Sequence, residues 1–529
     1  MAPVEIDSDP SVFPAVTLGG HIILASCLTA LIARTIYRSY LALPPSSATR
    51  HRQPLRRDHV KIFTSLALLG LVTAVWFGVN GASLSYRVWA AERGVELPDS
   101  FFGDKGAFRL GQHPGRFEIT RWLNDTPFYF DNLEIVAEKA RYFWWGQQAS
   151  FTMNSFSTYV AIEGRRRNIS NLWAFILLGQ LVNVSFAQNL WFVAILLTPL
   201  PLPENVDVLM DTRAFDSVHK LWFEKVVPER ASNWLPNPGF YIALLLTGYG
   251  ALFLTPFAAN TSSFGTVALV SVSLPFAPLL LPYIVPEHWG TTHDHPHEAH
   301  PSYTKIFRVI SIISSILHIR TTGLALLYST PENHYYRHSL LRPLEKVHRS
   351  NKNRAFTAIE RVLGAVGDHP AVGAVGYDVI LSGLSLGAWA AVRGLDGNEI
   401  LRIVIPWMNK VGKAGVKVEE LESITQSTDT SPPLRRRRRP RRSTKSQQDA
   451  AYAPKLGAIG TAPEGDQDGD EDWEVAALTW GVVSAAGLGV GSASVYGAEI
   501  TARLRSQDAI YERMEEYIQL ALIMIVETC

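Results

Sequence analysis

The stretch LWAFILLGQLVNVSFAQNLWFVAILLTP, residues 172–199, decides how this chain is built. It exceeds the roughly 20 apolar residues that a helix needs to cross a bilayer. Yet it carries Gln180, Asn183, Ser185, Gln188 and Asn189. Polar groups in hydrocarbon are costly unless paired, so a helix bearing them turns them toward other helices. The pattern predicts a single membrane span over 171–198. The link before it, EGRRRNIS (163–170), is short. The spans on either side of that link are therefore predicted to be antiparallel neighbours with facing polar stripes.

Further candidate spans lie near 14–37, 59–80, 142–162, 239–258, 264–285, 307–328, 372–393 and 475–497. The chain is 47% hydrophobic and 18% charged, against about 25% charged in soluble domains. The fold class expected is all-α: a polytopic transmembrane helical bundle of roughly 7–9 spans. Residues 1–417 form the helical domain. Residues 418–472 read as a disordered charged linker, and 473–529 as a last span followed by an amphipathic helix over 498–526. The formal net charge of +1 points to no nucleic-acid partner. Cys27 and Cys529 supply neither a disulfide framework nor a cysteine metal site. The first apolar run follows the acidic VEIDSD, which favours a retained span over a signal peptide.

Basic residues in short loops predict orientation. With the N-terminus outside, loop 38–58, EGRRRN (163–168) and the loop carrying Arg337, Arg342, Lys346, Arg349, Lys352 and Arg354 all fall on the cytoplasmic side. An eighth full crossing then leaves LRRRRRPRR (434–442) on the wrong side. Either that loop is too long to obey the rule, or 372–393 is re-entrant.

On one continuous helix, Glu134, Glu138, Arg141, Trp145, Gln148, Thr152, Ser155 and Tyr159 share a face. Glu138 is expected to pair with Arg141, and Glu163 with the adjoining arginines. The loop WLNDTPFYFDN (122–132) is expected to cover the mouth of a pocket between this stripe and the next span. Aromatic faces, amides and carboxylates in an apolar shell suit cationic chemistry on a greasy substrate. A carboxyl in low dielectric keeps its proton, rings stabilise a cation, and exclusion of water protects it. The candidates are Asp125, Asp131 and Glu134 as proton donors. Trp122, Phe128, Tyr129, Trp144 and Trp145 are candidates for cation stabilisation, and Gln147, Gln148, Gln188 and Asn189 for orienting substrate oxygens. For each, a purely structural role as interhelical hydrogen bond or interfacial aromatic stands beside the functional one.

The blocks WLNDTPFYFDNLEIVAEKARYFWWGQQ (122–148) and IEGRRRNISNLWAFILLGQLVNVSFAQNLWFVAILLTP (162–199) carry a resemblance. The chain resembles the fungal membrane-bound terpene cyclases of ascochlorin, ascofuranone and macrophorin biosynthesis. The likeness is clearest over 75–200, looser to about 395, and does not extend to the charged linker. It implies cyclisation of the prenyl chain of a prenylated aromatic, begun by protonating an epoxide or an olefin, without loss of diphosphate. It also implies an endoplasmic-reticulum membrane enzyme with a lipophilic substrate and no cofactor or metal. No DDxxD-like diphosphate motif is present.

Other signals compete. PEHWGTTHDHPHEAHP (286–301) holds His288, His293, His295, His297 and His300, and His334 and His338 follow at helical spacing. With His318 they invite a histidine-rich di-iron oxygenase, but no HH pair is present and the orientation puts the clusters on opposite faces. His318 and Arg320 inside a span fit a wet cavity or a transporter. No internal repeat or pair of broken helices supports transport in the sequence. The run GLGVGSASVYG (487–497) fits close helix packing better than a dinucleotide loop.

Overall fold

The computed structural model describes residues 13–43, 53–97, 117–198, 234–293, 299–331, 351–405 and 468–501. The predicted charged linker lies outside these residues, apart from a short stretch beginning at Asp468, as do His295, His297, His334 and His338, and everything beyond 501. The helices are α1 (Phe13–Leu41), α2 (Gln53–Arg93), α3 (Ile119–Asp125), α4 (Phe128–Glu138), α5 (Ala140–Arg166), α6 (Leu172–Leu181) and α7 (Val184–Leu197). There follow α8 (Pro238–Ala258), α9 (Phe264–Ser273), α10 (Ala277–Ile284), α11 (His300–Ser329), α12 (Asn351–Leu363), α13 (Pro370–Arg393), α14 (Gly397–Val404) and α15 (Asp468–Ser484). The last, α16, covers 488–501. A two-stranded antiparallel pair, β1 (Trp234–Pro236) with β2 (Gly290–Thr292), ties the start of α8 to the segment after α10.

Among the described residues, six helical segments are long and apolar enough to cross a membrane: α1, Arg56–Arg93 within α2, α8, the proline-kinked pair α9–α10, Pro301–Ser329 within α11, and α13. The chain is a helical membrane protein. The seventh long helix, α5, has 27 residues, but its polar stripe lowers its hydropathy. Its length of about 40 Å still exceeds the hydrocarbon core.

The bundle has two ends. At one, Arg93 pairs with Asp125 at 3.2 Å and His21 stacks on Tyr129. At the other, Phe63 packs edge-on against Trp389 and Phe192, and Asn171 donates to Thr35 Oγ1 at 3.4 Å. Helices α1, α2 and α5 run between these ends in alternating directions.

The segment 171–198 does not cross. Helix α6 has 10 residues and α7 has 14, about 15 and 21 Å long, against a core of about 30 Å. Between them Asn183 adopts an extended backbone, φ −169°, ψ 161°. The two then pack back on each other. Phe175 meets Trp191 at 5.1 Å, and a Cβ on Gly179 would lie 3.5 Å from Ala187. Both pairs are centred on Asn183, the mark of an antiparallel hairpin. Its two feet also meet, because Arg167 Nη1 donates to the carbonyls of Ile195 and Thr198. The sequence expectation of one span is therefore corrected: the polar centre makes a turn, and the segment is a re-entrant hairpin.

The C-terminal segment repeats the device. Helix α15 ends at Ser484, Gly487 takes φ +112°, and α16 begins at 488. A Cβ on Gly491 would lie 3.1 Å from Ser484 and 3.3 Å from Trp480 Nε1, so the arms are back to back. Thr479 abuts Gly397 just past α13, while Glu499 binds Arg393 at the end of α13. Both feet of this hairpin thus lie at the Arg167 end. The expected single span over 475–497 is a hairpin too. The close-packing reading of the glycines holds, since a Cβ on Gly489 would strike Phe151 and Ser314 at 2.6 Å.

The first hairpin reverses the topology of everything after it. Ser329 and α12 lie at the Asp125 end, opposite EGRRRN, which breaks the orientation expected for Lys352 and Arg354; Arg337, Arg342, Lys346 and Arg349 lie outside the described residues. Ile405 and Asp468, the described residues on either side of the basic run 434–442, both lie at the Arg167 end with EGRRRN. Helix α13 is a full crossing, and the re-entrant segment is 171–198 instead. Cysteines placed at Asn168 and Asp396 are expected to react with an impermeant maleimide from the same side of sealed vesicles, and one at Asn260 from the other. Labelling of Asn168 and Asn260 positions from one side would restore the single span.

Candidate functional site

Helix α13 organises the interior. Asp378, Ser382, Ser385, Trp389 and Arg393 follow steps of four and three, so they share one face. That face meets α7, which runs parallel to it. At the hairpin tip, Asp378 accepts the backbone N–H of Val184 (3.0 Å) and of Ser185 (2.7 Å). A helix leaves its first N–H groups unpaired. Inside a membrane no water serves them, and here a carboxylate from another helix does. Asn183 completes the cap, accepting from Phe186 N at 3.0 Å and donating to Gly70 O at 2.8 Å.

Below the tip, Gln188 donates to Ser382 O at 3.3 Å, and Asn189 donates to Ser185 O and Ser385 Oγ, each at 2.8 Å. Gln188 Oε1, Asn189 Oδ1, Ser382 Oγ and Trp191 Nε1 are buried without a hydrogen-bond partner. Such groups cost about 1–3 kcal/mol each unless water or a ligand meets them. The seam ends at Glu499, which is 1% exposed. Its Oε2 accepts from Tyr159 Oη (2.5 Å) and Trp389 Nε1 (2.6 Å), and its Oε1 from Arg393 Nε (3.1 Å) and Nη2 (3.0 Å). Rings enclose it. Tyr159 stacks on Tyr496 at 4.3 Å, Phe192 on Trp389 at 4.2 Å, and the Arg393 guanidinium sits 4.8 Å over Trp389.

The second hairpin tip is capped in the same way. Gln148 Oε1 accepts Leu488 N–H at 2.8 Å while its amide nitrogen meets His318 Nδ1 at 2.6 Å. A short polar chain continues from His318 Nε2 to Thr322 (3.4 Å), which accepts from Trp144 Nε1 at 2.9 Å.

The sequence candidates therefore separate into three places. Asp125 accepts from Trp89 Nε1 at 3.0 Å and pairs with Arg93, at the end of the bundle. Trp122 donates to Ser85 Oγ at 3.1 Å and meets Phe128 edge-on, and Tyr129 stacks on His21, so these three rings tie α1, α2, α3 and α4 together. Asp131 and Glu134 sit on α4; Glu134 accepts Asn260 N–H at 2.6 Å and pins the turn between α8 and α9. Trp144 and Gln148 join the His318 chain, while Trp145 donates to Val362 O at 3.0 Å. Gln147 is fully buried with both amide atoms unpartnered. Gln188 and Asn189 alone among the candidates reach the α13 seam.

Two local expectations fail for a physical reason. The stripe 134–159 is not one helix, because Lys139 is extended (φ −108°, ψ 135°) and α4 turns away from α5. Arg141 consequently pairs with Asp368 at 2.7 Å rather than with Glu138. The pairing of Glu163 with Arg166 (3.0 Å) and Arg167 (2.7 Å) is as expected. Arg320 lies 4.3 Å over the Phe253 ring. Among the described residues, no three His, Cys, Asp or Glu side chains gather as a metal set would require. The residues missed were Asp378, Trp389, Arg393 and Glu499. The same-face rule applied to 378–393 would have found the first three; Glu499 lay in a stretch taken for the start of an amphipathic tail.

Desolvation, with Glu134 nearby, raises the pKa of Asp131. A carboxyl raised in the folded state costs nothing at pH below its unfolded value; the cost grows as pH rises past that value, where the unfolded chain gives up the proton first, and is complete above the folded value. Asp131→Asn is therefore expected to raise the melting temperature slightly at pH 7 and to leave it unchanged near pH 3, as read by melting curves in detergent. A loss of stability at pH 7 would contradict this.

The fold and seam together define a polytopic helical membrane protein with two re-entrant hairpins and a buried acidic core. No protein-family model, curated protein or solved structure matches the chain.

Proposed function

We propose that this protein is an intramembrane cyclase, which isomerises the prenyl chain of a prenylated aromatic by protonating an epoxide or an olefin. The observation that carries the reading is Glu499, a fully enclosed carboxyl among Tyr159, Trp389, Phe192 and Tyr496. To protonate an olefin, an acid must leave a well-stabilised conjugate base. Arg393, Trp389 N–H and Tyr159 O–H already point at the oxygens where that charge develops. The proton passes from the Glu499 carboxyl to the epoxide oxygen or alkene carbon. The next double bond attacks the cation and closes the ring. Loss of a proton from the final cation regenerates the acid, so the product is an isomer of the substrate. Ring faces stabilise the cation, and the packed shell excludes water. The unpartnered oxygens of Gln188 and Asn189 orient the polar groups of the substrate. The rings stack in pairs in this closed arrangement, so the reading requires the α7 and α16 arms to part on entry.

Transport of a polar solute is the second reading. The paired re-entrant hairpins favour it, because broken helices aim N-termini at the bilayer interior as transporters do. Microsomes bearing the protein, given an epoxidised farnesyl-phenol, are expected to form a cyclic isomer of unchanged mass. Solute uptake confined to sealed vesicles, with no isomer from any epoxide or olefin tried, would reverse the order of the two readings.

A further inference from the structure

A cleft of about 360 Å³ opens at the Asp125 end between α2 and the start of α13, lined by Phe77, Asn80, Ser83, Leu84, Arg87, Val366, Gly367, His369 and Pro370. It is separate from the Glu499 seam, which lies at the opposite end of α13. Its chemistry is graded along α2. Phe77 packs on Tyr377 at 5.1 Å and forms the deep, apolar end. Asn80, Ser83 and Arg87, at steps of three and four, carry polar groups outward along one face. None of these three makes a hydrogen bond or ion pair within the described residues. Other arginines near this end are engaged: Arg93 with Asp125, Arg121 with Glu118, and Arg141 with Asp368. The unengaged Arg87 stands about 9 Å short of the end of α2.

The opposite wall supplies donors. His369 Nδ1 accepts Ala371 N–H at 3.1 Å, which fixes the ring proton on Nε2. Burial and the nearby Lys139 lower the His369 pKa, so the ring is a neutral donor at pH 7. The adjacent carboxylate, Asp368, pairs with Arg141 at 2.7 Å.

We infer that this cleft binds the acidic head of an amphiphile, with Arg87, Asn80 and His369 on its oxygens and its apolar tail lying along α2 and α13. The volume takes a head group and not a whole prenyl chain, which is why the tail must lie outside it. A phosphate-headed lipid and a prenylated aromatic acid present the same chemistry. The lipid arm stands apart from the cyclase reading, the benzoate arm rests on it, and the test of neither depends on turnover.

The full chain in detergent is examined by native mass spectrometry with dioleoyl phosphatidic acid and with a farnesylated hydroxybenzoate. Each is compared with a neutral twin, dioleoylglycerol and the fully methylated benzoate. Both acids, or one of them, are expected to outbind their twins. Arg87→Gln is expected to weaken the acids roughly tenfold, the loss of one charge-assisted contact, and to leave the twins unchanged. Arg121→Gln serves as the surface-charge control and should change nothing. An effect confined to phosphatidic acid assigns a lipid site; an effect on the benzoate assigns a substrate-head site. Acids held by Arg87→Gln as tightly as by the wild type, or twins held as tightly as acids, would overturn the inference.

Discussion

Glu499→Gln is expected to abolish isomer formation, by about 10²–10⁴-fold, the usual worth of a positioned acid. The amide keeps the shape and still accepts from Tyr159 and Trp389, so the ring packing persists. It has no proton to deliver at neutral pH. It also leaves Arg393 buried without its partner oxygens, which alone costs on the order of 3–5 kcal/mol. Activity loss must therefore be read against folding. Glu499→Gln combined with Arg393→Gln removes the buried guanidinium as well as the carboxyl, is expected to regain stability, and should stay inactive. Tyr159→Phe deletes only the hydroxyl and is expected to cost less. Asp125→Asn and Glu134→Gln, whose carboxylates hold Trp89 and the Asn260 turn, should retain turnover. Product assays in microsomes beside melting curves separate the terms. An active Glu499→Gln would remove this carboxyl from the mechanism.

Asp378→Ala is expected to be the most destabilising single change at a hairpin. It strips the partners from two buried N–H groups, Val184 and Ser185. At about 1–3 kcal/mol for each group, the loss is about 2–6 kcal/mol, a large share of the 5–15 kcal/mol that holds an ordinary domain. Asp378→Asn keeps one acceptor and turns an N–H₂ toward the other donor, so it should fall between. Gln148→Ala frees one N–H, that of Leu488, and should cost about 1–2 kcal/mol. The predicted order, Asp378→Ala below Asp378→Asn and below Gln148→Ala, is checked by melting temperature in detergent. Equal melting temperatures for Asp378→Ala and the wild type would mean that the tip is capped by other groups.

Length and hydropathy alone made this chain a bundle of membrane helices, because only a helix satisfies its own backbone in hydrocarbon. The helix bounds of α1, α8 and α13 follow from apolar runs and are close to those expected. The amides of α7 were legible as inward-facing, and the arginines after Glu163 as its partners. What the residues could not show locally is whether 171–198 crosses or turns back. A predominantly apolar stretch of 28 residues satisfies either geometry. The choice depends on which group meets the backbone N–H groups exposed at Asn183, and that group is Asp378, 194 residues from Val184. The second tip depends in the same way on Gln148, 340 residues from Leu488. The acidic core has the same origin, since Tyr159, Trp389, Arg393 and Glu499 come from three segments that only packing brings together. Periodicity reports which face of one helix is buried. A carboxylate that caps another helix, or an ion pair across the bundle, belongs to the tertiary structure, because its energy arises only when both partners leave water together.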